Sequence, residues 1–278
     1  MSINKSKVQI GSDFEMFLID EEGKFISAIP FNNGTKSNPE KLSKEGCCIQ
    51  RDGVLQECNV PPVRLNEDEL FIDNVEFVKN YIKQNICTPK GLILICCPSA
   101  NFDEDQLNNL EAVTFGCDPD FDAWKGGEVN EKPISDNANL RSCGGHIHIS
   151  YEEYDIDTSI ELMKAFDTFL TVPFILFDKD SERRKLYGKA GAFRLQNWGE
   201  VSGFEARTLS NFWLSSSNRI RYVFNQLDMM FDYFNEHGTV EINKDADKIV
   251  TAINTNNHDL ALEICHKYKI NVESLLLV

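Results

Sequence analysis

Apolar and polar positions alternate along residues 8–20, and this period of two predicts a strand. Glu21-Glu22-Gly23-Lys24 follows as a turn, with a second strand behind it to close a hairpin. Residues 53–60 alternate in the same way up to Pro61-Pro62, which should stop the strand because proline has no N–H for a ladder. Asn66 and Glu69 have the spacing of a capping box. Behind them Val75, Val78, Ile82 and Ile86 recur at helical intervals until Thr88-Pro89 and Gly91. Leu92 to Cys97 reads as a short buried strand, 103–111 as a short helix, and 112–140 as an irregular segment rich in Gly, Asp, Asn and Pro. A strand over 143–150 precedes a helix over 157–177 that carries Ile160, Met163, Phe166, Phe169 and Leu170. Residues 178–200 read as a basic, glycine-containing loop and 202–213 as a strand. A long helix over 217–236 turns Ile220, Val223, Phe224, Leu227 and Phe231 inward and stops at Gly238. Two short helices are expected beyond 243.

Strands mixed irregularly with helices, without a repeat or a low-complexity linker, predict an α+β fold with a mainly antiparallel sheet. The expected division is one catalytic body over 1–242 and a C-terminal helical extension over 243–278 that shares its core. Composition narrows the partners. The 278 residues are 42% hydrophobic and 26% charged, an ordinary globular balance, with a formal net charge of −16. Such acidity argues against nucleic acid or anionic lipid as the main partner, since both select positive surfaces. Nine cysteines include no C-x-x-C, which excludes a zinc ribbon or a thioredoxin-type pair and suits reduced thiols used as small hydrophobes. The first residues carry no apolar segment of signal-peptide length, and the apolar runs around 91–98 and 172–177 are too short to span a bilayer. A protein of a reducing cytoplasm is the expectation.

The informative chemistry sits on strands that carry polar pairs. In Asp13-Phe14-Glu15-Met16-Phe17-Leu18 the two acids share one face, opposite Phe14, Met16 and Leu18. In Gly144-Gly145-His146-Ile147-His148-Ile149 the imidazoles share a face, and in Phe204-Glu205-Ala206-Arg207 so do the acid and the guanidinium. Residues 54–60 add Leu55, Glu57 and Asn59 on one face. Each pair alone also fits a solvated strand face or a cross-strand ion pair. Together they would line one sheet. A carboxylate-rich set with two histidines suits Mg2+ or Mn2+ better than a structural zinc.

A second feature balances the acids. Arg183, Arg184, Lys185, Lys189 and Arg194 lie within twelve residues that hold no acid, and Gly188 and Gly191 would let this backbone approach a ligand. The segment fits either a solvated basic loop or a polyphosphate clamp. It is not a Walker A loop, which needs a four-residue spacer and a Ser or Thr after the lysine.

In this order the motifs resemble those of the glutamine-synthetase/glutamate-cysteine-ligase superfamily of ATP-dependent carboxylate–amine ligases, and look closest to the phage-encoded branch described as COOH–NH2 ligase type 2. The resemblance runs through Gly11-Ser12-Asp13-Phe14-Glu15, Leu55-Gln56-Glu57, Gly116-Cys117-Asp118-Pro119-Asp120 and Gly144-Gly145-His146-Ile147-His148. It continues through Arg184 to Arg194 and ends at Phe204-Glu205-Ala206-Arg207, which places residues 243–278 outside it. It implies a curved antiparallel sheet with helices on its outer face and with ATP and two or more Mg2+ or Mn2+ ions on its concave face, Asp13, Glu15, Glu57, His146 and Glu205 being metal ligands. His148, Lys189, Arg194 and Arg207 would contact the phosphates or the acyl phosphate, with Arg184 as a further candidate. Asp13 departs from the pattern, since many relatives carry Glu there.

The implied reaction joins a carboxylate to an amine through an acyl phosphate, with ADP released. Arg207, Arg194 and His148 would stabilise the developing charge, and Asp118 or Asp120 would hold the ammonium and take its proton, although Asp-Pro-Asp also suits a plain turn. Small-molecule or peptide substrates are implied; their identity and the oligomeric state are not. One rival is a cupin-type oxygenase or isomerase, because Glu152 and Glu153 follow His146-x-His148. Against it, Leu140 stands where the preceding glycine is expected, and the basic segment would have no task. The other rival is a non-catalytic nucleotide-binding relative.

Overall fold

The computed structural model describes residues 2–113, 120–131, 136–152, 155–199 and 201–273. Gln9–Ile19, Phe25–Ile26, Glu40–Lys41, Cys48–Asp52, Leu55–Arg64 and Ile93–Ile95 form β1 to β6. Strands β7 to β13 are Ser99–Asn101, Phe121–Asp122, Glu128–Val129, Leu140–Ser142, Ile147–Ser150, Ala192–Asn197 and Ser202–Ala206. The helices are α1 Asp68–Ile82, α2 Leu110–Val113, α3 Ile156–Phe166, α4 Val172–Ile175 and α5 Arg183–Leu186, then α6 Ser217–His237, α7 Val240–Lys244, α8 Ala246–Asn254 and α9 His258–Lys267.

The fold is α+β. The main sheet runs β3-β4-β5-β1-β11-β13-β12-β8-β9, and β2 and β6 pair with the far end of β1. Every pairing in it is antiparallel. Because β1 is central and eleven residues long, its alternation sets the two faces. Phe14 and Met16 join Ile147, Ile149, Phe204 and Phe193 on the buried face, all at most 4% exposed. Helices α1, α3 and α6 cover that face, with α1 on β5 and α3 on β13. Phe71 of α1 stacks on Trp213 at 5.7 Å, and both are fully buried. A fully buried large side chain of this kind contributes roughly 1.5–3 kcal/mol. Phe17 faces the other way, into a second cluster with Val54, Phe102 and Cys143 under the 99–113 segment.

Several sequence expectations are corrected by tertiary context. Strand β5 continues through Pro61 and Pro62 to Arg64, because β4 covers only residues 55–59 and the register with β1 shifts between Ile10 and Ser12. The prolines therefore sit where one flank of the strand has no ladder to complete. No capping box forms at Asn66: helix α1 starts at Asp68 behind Glu67, and Glu67 Oε2 instead accepts from Arg64 N at 2.7 Å. The segment taken for a loop over 178–200 holds helix α5 and strand β12, and the helix expected over 157–177 passes through a π turn at Asp167–Thr171. Ile249, Ile253, Ile264 and Cys265 of the C-terminal helices are buried in the same cluster as the sheet. The eight described cysteines are unpaired, and no described helix is long and apolar enough to cross a membrane.

Candidate active site

The open face of the sheet collects the polar members of six strands. Register sets Asp13 opposite Asn59 and Glu15 opposite Glu57, while Gln50 on β4 faces Glu57 from the other side. On the other flank of β1, His148 faces Gly11, then Glu205, and Glu205 faces Arg194. Directly opposed residues of an antiparallel pair share a face, so the separate sequence motifs become one surface.

At its centre are Asp13, His146 and Glu205, whose ligand atoms all lie within 4.8 Å of one another. His146 Nδ1 is 3.3 Å from Asp13 Oδ1 and 3.0 Å from Glu205 Oε1, and His148 Nε2 is 3.1 Å from Asp13 Oδ1. Glu205, with no exposed side-chain surface, also receives Arg207 Nη1, Gln196 Nε2 at 2.6 Å and Arg194 Nη1 at 3.5 Å. Glycine at 144 is required by this packing, since a Cβ there would meet His146 Nε2 at 2.3 Å. Gly144 N in turn donates to Glu15 Oε2 at 2.5 Å.

Burial raises the carboxyls of this face, and local cations decide which of them stay ionised. Burial and Asp13 push Glu205 up, but Arg207 and His146 overcome them and hold it at about 2. Asp13, raised by burial, is drawn well below the usual range by His148 and His146. The same contacts lift His146 to about 9 against burial and Arg207. Glu15 and Glu57 lack such compensation. Burial takes Glu15 to about 7, with His146 and Gly144 N opposing and Asp52 and Asp13 adding to it. Burial and then Asp13 take Glu57 to about 8. Glu57 Oε2 is one of the buried oxygens with no hydrogen-bond partner.

This arrangement fits a divalent cation. Like-charged Glu15 and Glu57 face each other in a buried setting, an oxygen of Glu57 is orphaned, and the donors are carboxylates with one imidazole, the set preferred by hard or borderline ions. Asp13, His146 and Glu205 would hold one ion, and Glu15 and Glu57 lie on the same face beside them.

The basic candidates divide. Arg194 and Arg207 reach Glu205. Arg184 does not reach the cluster: its Nη1 is 3.4 Å from both Asp180 O and Asn256 Oδ1. Arg183 is buried and donates to the carbonyls of Cys143, Thr208 and Arg207 at 2.9–3.1 Å. Lys185 pairs with Glu182, and Lys189 is exposed on the wall of a neighbouring cleft. Gly188, at φ 77°, is glycine because a Cβ would lie 1.8 Å from Arg183 Nη1, so the close approach is to the protein's own guanidinium.

Asp120 lies 3.3 Å from Arg207 Nε and accepts from Asn130 Nδ2 at 3.0 Å. Asp118 lies outside the described residues, as does Glu153. Glu152, the described one of the two acids after the histidines, pairs with Lys7 at 3.5 Å.

Residues not singled out from sequence complete the site. A cavity of about 80 Å³ opens beside the cluster, lined by Glu15, Asp52, Arg141, Tyr187, His146 and Arg207, among others. Asp52 and Gln50 could have been found from the alternation of Cys48, Gln50 and Asp52, but a short strand with no apolar contrast gives little signal.

Residues 135–267 match the family described as phage phiEco32-like COOH.NH2 ligase-type 2, just under half of the chain. No curated protein matches it. Among solved structures, a bifunctional glutathione synthetase from Pasteurella multocida is similar at 10% identity over 98% of this chain and 49% of that one, with a TM-score of 0.48. The glutamine synthetase of Plasmodium falciparum is similar at 12% identity over 80% of this chain and 52% of that one, with a TM-score of 0.37. The chain spans about half the length of these structures. The family match includes helices α8 and α9, which lie in the 243–278 segment placed outside the motif resemblance, and it does not reach back to Asp13, Glu15 or Glu57. From His146 through Arg207 and on to α9, the chain is therefore similar to the COOH–NH2 ligase type 2 family that its motifs resemble.

Proposed function

We propose that the protein is an ADP-forming carboxylate–amine ligase that uses ATP with Mg2+ or Mn2+ and works through an acyl phosphate. The observation that supports it most is the convergence of Asp13, His146 and Glu205 within 4.8 Å, flanked by Arg194 and Arg207 and by the uncompensated pair Glu15 and Glu57. The family matched by residues 135–267 is named for joining COOH and NH2 groups.

Asp13, Glu15, Glu57, His146 and Glu205 would hold the ions, which would supply charge neutralisation for phosphoryl transfer. A substrate carboxylate oxygen attacks the γ-phosphorus as the bond to ADP breaks. The amine nitrogen then attacks the acyl carbon, its proton passes to a base, and phosphate leaves. Arg207 lines the cavity beside the cluster and Arg194 stands against Glu205, so both are placed to stabilise negative charge developing there. His148, opposite Glu205 and beside Trp198 at 5.3 Å, would contact the phosphates. Arg207 is oriented by Asp120 from behind. The test is ADP release that requires both a carboxylate and an amine, alongside Glu205→Ala and His146→Ala. Undiminished turnover in either variant would sink the assignment.

A further inference from the structure

Beside the 80 Å³ cavity lies a much larger cleft of about 830 Å³, walled by β8 and β9, by the 185–190 turn, and by helix α8. The two spaces meet at Tyr187, which lines both. They also meet across the Arg207–Asp120 pair, whose guanidinium lines the cavity and whose carboxylate lines the cleft. The cavity has room for the equivalent of only a few water molecules, at about 30 Å³ each, which suits the carboxylate end of a substrate. The cleft is of the size that holds whole ligands of several hundred daltons, roughly 300–1,000 Å³.

Its charge is one-sided. Lys125 pairs with Asp122 at 3.3 Å and Lys185 with Glu182 at 2.6 Å, so these lysines are neutralised within the chain. The described walls carry five acids against three lysines; Glu128, Glu131 and Asp247 are exposed and among the described residues no cation pairs with them, and of the lysines only Lys189 pairs with no acid. Trp124, Val129 and Val250 give the same walls an apolar component. Ammonia or a single amino acid would not need a space this large.

We propose that this cleft docks the amine substrate, and that the substrate is an extended amine carrying more than one positive charge. The inference rests on the ligase reading. It gives α8 a share in recognition through Asp247 and Val250. Protonated amines gather along the acid-lined cleft, and one of them is presented past Tyr187 and Arg207 to the activated carboxylate.

The test uses the full chain and separates binding from turnover. Trilysine amide and spermidine are titrated calorimetrically without nucleotide, with trialanine amide as the singly charged control. Both polycations should bind at least about ten-fold more tightly than the control, with an advantage that shrinks at high salt. Asp247→Lys and Glu128→Lys should each weaken polycation binding about five-fold, whereas Asp73→Lys, on the exposed side of α1, should not. Equal affinity for the three probes, or equal loss in Asp73→Lys, would overturn the inference. In turnover, the two cleft reversals should raise KM for the polycation and leave kcat within about two-fold. A ligase that uses ammonia as well as trilysine amide, with KM unmoved by either reversal, refutes the cleft assignment and leaves the ligase standing. Polycation binding lost in both reversals, but with no ADP release, keeps the cleft and refutes the ligase.

Discussion

The two halves of the acidic face are built from the same residue types and treated in opposite ways. Asp13 and Glu205 sit among His146, His148, Arg194 and Arg207, and both are held in the ionised form. Glu15 and Glu57, one strand pairing away, face each other with Asp52 nearby and are raised to about 7 and about 8. The first half is complete without any ion. The second half stores its charge only if a cation arrives, because two buried like charges cannot both ionise cheaply. The comparison teaches where metal binding should be felt most: in Glu15 and Glu57, not in the tidier trio that satisfies a simple ligand search.

The most severe way to break the comparison is at Glu205. Removing its carboxylate leaves His146, Arg194 and Arg207 facing one another without their shared anion, a loss of roughly 3–5 kcal/mol for a broken buried pair. Glu205→Ala should therefore lower the melting temperature strongly and abolish turnover. Glu205→Gln, which keeps the volume and one acceptor, should refold more of the population yet still lose at least about a hundred-fold in kcat. Near-normal kcat in Glu205→Gln would show that the charge of Glu205 is not used.

Next in size is a contrast of sign. Asp13→Asn should destabilise the metal-free protein by about 1–3 kcal/mol, because His146 and His148 lose their partner. Glu57→Gln should leave it unchanged or more stable, because it removes a buried like charge opposite Glu15. Both should lose the stabilisation gained on adding Mg2+. Chemical denaturation with and without Mg2+ measures all four quantities, and a destabilised metal-free Glu57→Gln would erase the distinction between the halves.

The pH dependence follows from the same residues. Glu15 and Glu57 bind protons more tightly in the folded state, so their contribution to metal-free stability falls as pH rises from about 4.5 to about 8. Asp13 and Glu205 are depressed, so theirs is full above about pH 4.5 and is lost as pH falls, for Glu205 through about 2. Cation binding requires the ionised acids. The Mg2+-induced rise in melting temperature should therefore grow between about pH 6 and pH 9, by about ten-fold in apparent affinity per pH unit while one proton is displaced. A flat profile would mean that Glu15 and Glu57 do not take part.

Much of this was legible in the sequence because in β1, β5, β11 and β13 the polar positions recur at period two, and that period assigns Asp13, Glu15, Glu57, His146 and Glu205 to a face without any knowledge of their neighbours. Which strand lies beside which is set by long-range pairing, and so the unequal compensation of the acids was not readable. Nor were the ends of elements. Asn66 has the right spacing for a cap but the helix starts one residue beyond the position it would need, and Pro61-Pro62 stops a strand only where both flanks are paired. The basic segment poses a different difficulty. Charge composition counts guanidiniums, while burial decides whether they face a ligand or their own backbone.

Arg184 and Arg194 turn that difficulty into the mildest test of the comparison. Both are arginines of one basic run, and their surroundings differ. Arg184 is 8% exposed, drawn downward by burial with Asp178 and Asp180 opposing, and directed at Asp180 O and Asn256. Arg194 lies across from Glu205 on β12, on the compensated half of the face. Arg184→Gln should cost stability, on the order of 1 kcal/mol from lost hydrogen bonds, and change the KM for ATP by less than about two-fold. Arg194→Gln should cost little stability, since Arg207 and His146 still hold Glu205, and should raise the KM for ATP several-fold if the compensated half is the one that meets phosphate. The reverse pattern would move the nucleotide toward the 183–191 turn and α8, and the two halves of the acidic face would then have to exchange roles.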